Sequence, residues 1–468
     1  SKLVKLNDIV FTPKHVSSIK PAKICNYGNF QHRKQKKPDG FKAMQKSARV
    51  CYIWKSIPLV MDDTLKSGFS DLARQASLQP KEALLEKHKS NKGLIIGVPK
   101  ETTLQEHRVA LTPSSVNHLV NNGNEVWLET GAGKAAKFPD NDYSEAGAKI
   151  CYSTEEVFKT QVIVKVEPPT ESEIRLLNGQ QLLISAIQLA NKSDSYIRSL
   201  MEKKITAIAF EYLKSEDGIY PIVRSISEIA GTTSIAVAAE LLSTNNGGKG
   251  EMLGGVTGIP PTEVVIIGAD TVGEYAARAA LGVGATVKVF DNSHEKLRRL
   301  QNNLGVKLFT SLLHPKILNK ALLNADVAIG CLWNEEGRSL TVVSEETVAR
   351  MKPLSVIVDS CIDPGGCVET SELTTHAQPT FIKHDVIHYC VPNIASRASR
   401  TASYALSNVL APLLLDLAEA GTIQNYLWEN PNARNGVYIY KGNLTNKHIG
   451  RRLNIYNKDI DLLIAAHA

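Results

Sequence analysis

Residues 264–293 read "VVIIGADTVGEYAARAALGVGATVKVFDNS" and hold a strand, a turn, a helix and a second strand. "VVII" is apolar enough to be buried on both faces. Gly268 follows it and permits a tight turn. "TVGEYAARAALG" then opens a helix, with Gly273 where that helix must approach the strand. A helix starting directly after such a turn presents unbonded N–H groups to a pyrophosphate. "TVKVFD" ends in Asp291, 18 residues after Gly273. An acid there accepts hydrogen bonds from adenosine ribose hydroxyls and disfavours a 2′-phosphate, so the stretch predicts NAD rather than NADP as cofactor. Asp270 resists this reading, because it stands where the pattern has its second glycine. Two unit charges about 4 Å apart repel by roughly 1–4 kcal/mol at effective dielectrics of about 80 to 20. The carboxylate must therefore turn outward or cap the following helix.

The same alternation extends both ways. "LIIGVPKE", "NEVWLET", "VIVKVEPP", "QLLISAIQL" and "ITAIAFEYL" are short apolar runs separated by helical stretches. After the small-residue helix "SEIAGTTSIAVAAELL" come "EVVIIGAD", "TVKVFDN", "ADVAIGC", "SVIVDSC" and "IHYCVPN". Strands alternating with helices argue for βαβ units and parallel sheets. The expected fold is α/β, with two Rossmann-like doubly wound parallel-sheet domains flanking a cleft and joined by long helices. The expected boundaries are a basic extension over 1–60, a helical segment over 61–93, a substrate domain over 94–223 and an NAD-binding domain over 224–400. Residues 401–468 give a linking helix and a return to the substrate domain.

Of 468 residues, 43% are hydrophobic and 22% charged, as expected of a soluble globular protein. No uninterrupted apolar run approaches the ~20 residues of a membrane helix. The net charge of +7 is misleading, since residues 1–60 carry 13 Lys and Arg against two Asp and Glu. The rest carries 41 against 45, so no nucleic-acid or membrane partner is expected for the folded body. The first 60 residues read as a solvated extension or as sequence upstream of a start at Met61. A basic tail for RNA or an anionic membrane, or a targeting segment, is the alternative. Seven cysteines without a CxxC pair point to reduced thiols and a cytoplasmic protein. No metal is expected.

From about residue 94 to 421 the chain resembles the alanine dehydrogenases, which share their fold with the NAD-binding component of transhydrogenase. The resemblance lies in "IGVPKETTLQEHRVALTP", "VIVKVEPP", "SEIAG", "GEMLGGVTGIPPTEVVIIGA", "VIVDSCIDPGGCVETSELTTH" and "VIHYCVPNIASRASRTASYALSN". It implies NAD-dependent oxidative deamination of L-alanine to pyruvate and ammonia by a homo-oligomer, hexamer or dimer. It also implies roles. Arg108 holds the substrate carboxylate, for which a guanidinium fork is well shaped. Lys165 is the active-site lysine at a strand end, though a lysine there could also snorkel to water. Asp363 is the catalytic aspartate beside the nicotinamide, in a position where a turn-forming aspartate is also natural. Asn393 touches nicotinamide or substrate, with Ile394 beside it. Ser227 contacts the cofactor, and Lys296 lies near the adenosine end.

Three residues depart from the family pattern. Asp270 replaces a glycine. Gln188 replaces a histidine and cannot titrate near neutral pH, so acid–base work falls on Asp363, Lys165 or water. Pro364 follows Asp363 where glutamine is usual. These departures keep two other readings open. One is a dehydrogenase of another amino or imino acid, of the saccharopine type. The other is a non-catalytic, transhydrogenase-like NAD-binding component or inactive paralogue.

Overall fold

The computed structural model describes residues 93–103, 106–188, 192–333, 340–363 and 365–466. The expectations for 1–60, for all but the last residue of 61–93 and for Pro364 lie outside the described residues. The first sheet starts with β1 (Ile95–Val98), β2 (Glu125–Glu129), β3 (Lys149–Cys151), β4 (Val162–Val164), β5 (Leu182–Ser185) and β6 (Thr206–Ala209). The second contains β7 (Glu263–Ile267), β8 (Thr286–Asp291), β9 (Phe309–Leu312), β10 (Val327–Gly330), β11 (Val356–Asp359), β12 (Thr380–Lys383) and β13 (Val386–Tyr389). The chain then returns, and β14 (Val437–Tyr440) and β15 (Asn443–Leu444) join the first sheet. The strand orders are β15-β14-β6-β5-β4-β1-β2-β3 and β12-β13-β11-β10-β7-β8-β9. Among the described strands the antiparallel pairs are β12–β13, β14–β15 and β14–β6.

Period-two side-chain alternation divides each sheet between two cores. Ile96, Val162 and Ile184 face one side of the first sheet, while Ile163, Leu183 and Ala207 face the other. In the second sheet Val264 and Ile266 oppose Val265 and Ile267 in the same way. Strands buried on both faces read as continuous apolar runs, which is why the sequence exposes them. The edge strands β9 and β12 are half exposed and were not anticipated.

Six helices matter for the site: α1 (Pro113–Asn121), α2 (Glu171–Leu176), α3 (Pro221–Leu242), α4 (Thr271–Gly282), α5 (His294–Leu304) and α6 (Ser399–Ala420). Helical residues 394–420 are long and apolar enough to cross a membrane. Leu406, Leu410, Leu414 and Leu417 are nevertheless buried in the first domain, as in a core helix. The long helix α3 packs closely on α4. Its Gly231 has no room for a methyl group, since a Cβ would lie 2.2 Å from Val272 O and 2.8 Å from Ala276 N. Alanine is about 1 kcal/mol better inside a helix, but forcing the helices apart costs about 1–3 kcal/mol. Gly231→Ala should therefore lower the midpoint of chemical denaturation. An unchanged or higher midpoint would show that the contact relaxes freely.

Candidate active site

Each sheet has a point where its strand order reverses, and ligand crevices open there at the carboxyl ends of parallel strands. In the first sheet that point lies between β1 and β4. The segment after β1 carries Glu101, Glu106 and Arg108, and the segment after β4 carries Lys165 and Glu167. The first segment is fixed from outside. His107, Val109 and Thr112 donate backbone N–H bonds to Ser396, Ser403 and Ser407 Oγ, each at 3.0 Å. Ser403 and Ser407 lie one helical turn apart on α6. The linking helix therefore positions the arginine.

Arg108 is buried, with its Nε 2.7 Å from Glu106 Oε1 and its Nη2 2.5 Å from Glu106 Oε2. Glu167 Oε1 lies 3.7 Å from the same Nη2. Glu106 uses one edge of the guanidinium, and the Nη1–Nη2 edge keeps N–H donors for a second carboxylate. Although burial opposes ionisation, Arg108 brings the Glu106 carboxyl down to about 2. Glu167 moves the other way. Burial, followed by the Glu106 charge, pushes it up to about 8, with Arg108 pulling back only partly. Gln188 donates from Nε2 to Glu167 Oε2 at 2.6 Å. Gln188 itself has a left-handed backbone, φ 46°, held by Glu211 Oε1, which accepts its N–H and that of Ile187.

Lys165 follows β4 directly. It is only 1% exposed, so it does not reach water. Its Nζ sits 2.6 Å from Glu173 Oε1 and 3.4 Å from Glu101 Oε2. Glu173 also closes a reciprocal cap with Thr170 at the start of α2. A lysine stem buried this deeply needs anions, and here the protein itself supplies two. Glu101, raised by burial against the pull of Lys165, accepts the Val166 N–H at 2.7 Å and so joins the two segments.

The second domain contributes from the ends of β11 and β13. Asp363 is exposed on one side, and desolvation by the protein around it raises its carboxyl. It accepts the Asn393 backbone N–H at 3.4 Å. Asn393, with φ 54°, turns its side chain to the other domain and donates from Nδ2 to Glu106 Oε2 at 2.9 Å. One residue thus touches both the Asp363 loop and the Arg108 group. The loop itself is pinned by Asp359, whose carboxylate accepts from Cys361 N, Cys367 N and Ser371 Oγ. Asp359, Cys361 and Cys367 also bring an oxygen and two sulfurs within 4.8 Å of one another, all buried. Those hydrogen bonds account for the carboxylate without an ion.

At the second sheet's reversal point, between β7 and β10, lies the glycine turn. Gly268 has φ 122°, and a Cβ there would meet Cys331 O at 2.4 Å. Gly273 would meet Gly268 O at 2.0 Å. Asp270 is the N-cap residue of α4, but its side chain makes no capping bond. It turns outward, 2.6 Å from Lys296 Nζ and 3.5 Å from Arg299 Nη2 on α5. Two cations thus face the carboxylate that threatened the pyrophosphate. Asp291 ends β8. It is fully buried, and it accepts the Ala269 and Ser293 N–H groups at 2.7 and 2.8 Å, holding the turn in shape. The Ile394 side chain packs into the second core. Ser227 lies half-buried on α3, away from the Arg108 cluster's hydrogen bonds.

Sequence reasoning missed Glu101, Glu106 and Glu167. The available signal was charge directly after buried strands, in "KE" at 100–101, "EHR" at 106–108 and "KVE" at 165–167.

The chain matches two family models, the "Alanine dehydrogenase/PNT, N-terminal domain" over residues 97–230 and the "Alanine dehydrogenase/PNT, C-terminal domain" over 234–447. It is 40% identical over 360 residues to an alanine dehydrogenase of Methanococcus maripaludis, covering 76% of this chain and 96% of that one. It is 36% identical to alanine dehydrogenase 2 of Staphylococcus aureus, covering 78% and 98%. A solved L-alanine dehydrogenase superposes with a TM-score of 0.72 at 36% identity, covering 76% and 98%. The chain belongs to the alanine dehydrogenase/PNT family.

Proposed function

We propose that this protein catalyses the reversible, NAD-dependent oxidative deamination of L-alanine to pyruvate and ammonia, as its relatives' names suggest for them. In this reading the first domain binds substrate and the second binds NAD. The observation that carries it is the Asn393 bridge, which sets the Asp363 loop of the second domain against the Arg108 group of the first.

The glycine turn suits the dinucleotide. Both glycines sit where a side chain would collide with backbone, and the α4 N-terminus is left without a side-chain cap. Lys296 and Arg299 offset the Asp270 charge beside it. When bound there, NAD would accept a hydride from the substrate α-carbon. Arg108 would hold the substrate carboxylate on its Nη1–Nη2 edge, while Glu106 fixes the opposite edge and so the plane of the fork. Asp363, at the mouth of the cleft, would take a proton from the water that adds to the oxidised substrate. The same reading extends to a homo-oligomer, which light scattering would test.

The test is NADH formation by the full chain with L-alanine, beside a panel of other amino acids and the reverse reaction with 2-oxo acids plus ammonia. Alanine should give the highest kcat/KM. Gln188 favours one second reading, a different amino or imino acid, and a higher value for such a substrate would establish it. No turnover with any member of the panel would remove the enzyme reading.

A further inference from the structure

The Arg108 group contains more carboxylates than substrate binding requires. Glu106 is explained, since it orients the guanidinium. Glu173 and Glu101 are explained, since they neutralise Lys165. Glu167 is not. It is buried, it lies 3.7 Å from the same Arg108 nitrogen that Glu106 binds, and its second oxygen is held by an amide that cannot titrate. A carboxylate kept next to another carboxylate is costly unless it has a task.

The reaction has such a task. An amino acid arrives with its carboxylate on the arginine fork and its α-ammonium about one residue's width away. Hydride cannot leave the α-carbon until the nitrogen has a free lone pair. Resting on the alanine reading above, we propose that Glu167 accepts the proton of the substrate α-ammonium, that Gln188 is its positioning residue, and that Asp363 is left to serve the attacking water. In this step an N–H bond breaks and an O–H bond forms on Glu167, so the ammonium becomes an amine and the carboxylate an acid. The freed lone pair then assists departure of the hydride. In the aminating direction the acid form of Glu167 returns that proton to nitrogen.

The charge pattern supports the assignment. The groups facing Glu167 are Glu106, Arg108 and Glu101 from the segment after β1, and Lys192 from the segment after β5. Burial and Glu106 raise the acid toward about 8, close to where a group must sit to both take and give a proton. Gln188 donates to the charged form, so removing that amide raises the group further.

The test uses Glu167→Gln and Gln188→Leu in the full chain. Glutamine matches the neutral acid in shape, so E167Q should fold. For the parent, kcat/KM for alanine oxidation should rise with pH through the Glu167 midpoint. E167Q should lose at least ~100-fold in kcat and lose that rise, while keeping its alanine KM within a few-fold. Q188L should keep the rise but shift its midpoint upward. A second reading does not depend on turnover. A raised carboxyl pKa makes the folded protein lose stability as pH rises toward that pKa. The parent's melting temperature should therefore fall relative to E167Q as pH rises from the ordinary carboxyl range to about 8, and hold a constant offset above it. Parallel melting curves, or an E167Q enzyme with the parent's kcat and pH profile, would overturn the proposal. Failure of the alanine reading looks different: the parent itself would then lack alanine turnover while the melting curves still diverge.

Discussion

Arg108→Met should abolish alanine oxidation and destabilise the protein by about 3–5 kcal/mol near neutral pH, with NADH affinity nearly unchanged. The stability loss follows from what would be left behind. Glu106 and Glu167 are both buried and share this one guanidinium. Removing one partner of a buried ion pair strands the other charge in a medium that solvates it poorly. The pH dependence distinguishes this cause from a simple packing defect. In the parent, Glu106 is held below its ordinary value. It therefore contributes stability above that ordinary value, and the contribution is lost as pH falls through the folded value. In the variant Glu106 has no cation and should take up a proton instead. The gap between parent and variant should thus be widest at neutral pH and close as pH falls. NADH affinity should hold because the glycine turn belongs to the other domain. Alanine turnover by a stable R108M protein would contradict the carboxylate assignment.

Lys296→Met should weaken NADH binding by between ~10- and ~1,000-fold, the range set by an unpaired charge about 4 Å from the pyrophosphate at effective dielectrics of about 80 to 20. Lys296 is the shorter-range of the two partners of Asp270. Without it the carboxylate faces the incoming phosphates with only Arg299 nearby. The double variant with Asp270→Gly should recover most of the affinity, because both members of the pair are then gone. Asp270→Gly alone should bind at least as tightly as the parent. Fluorescence titration of NADH against the four proteins gives the cycle. Equal affinity of K296M and parent would mean the pyrophosphate never feels this charge.

The contrast between these residues shows what a sequence reveals. The strands were legible because burial on both faces writes an uninterrupted apolar run, and the glycine turn because close backbone contact leaves room for nothing else. Arg108 and Lys165 stood out as cations amid such runs. Their partners did not, since a glutamate beside a charged residue looks like ordinary solvated surface. Glu106 and Glu167 are 61 positions apart and meet only because the strand order reverses between β1 and β4. The outward turn of Asp270 was one of two outcomes the sequence allowed. What decides between them is a lysine 26 residues away on the next helix. Lys165 shows a partial reading: the need for an anion near it was legible, and the two glutamates that meet it were not.

The return of β14 and β15 to the first sheet has a consequence for biogenesis. The second domain is threaded into the first, whose sheet and core are finished by α6 and by strands beginning at Val437. A ribosome delivers the inserted domain complete, with all seven of its strands, before the enclosing domain receives its last ones. Chains usually fold their leading domain first. Here the leading half must wait with an open sheet edge, and the middle of the message is the part that can settle first. The nascent chain is therefore most exposed to aggregation and chaperone capture over β1–β6, and loss of β14 and β15 would harm the first domain rather than the nearest one.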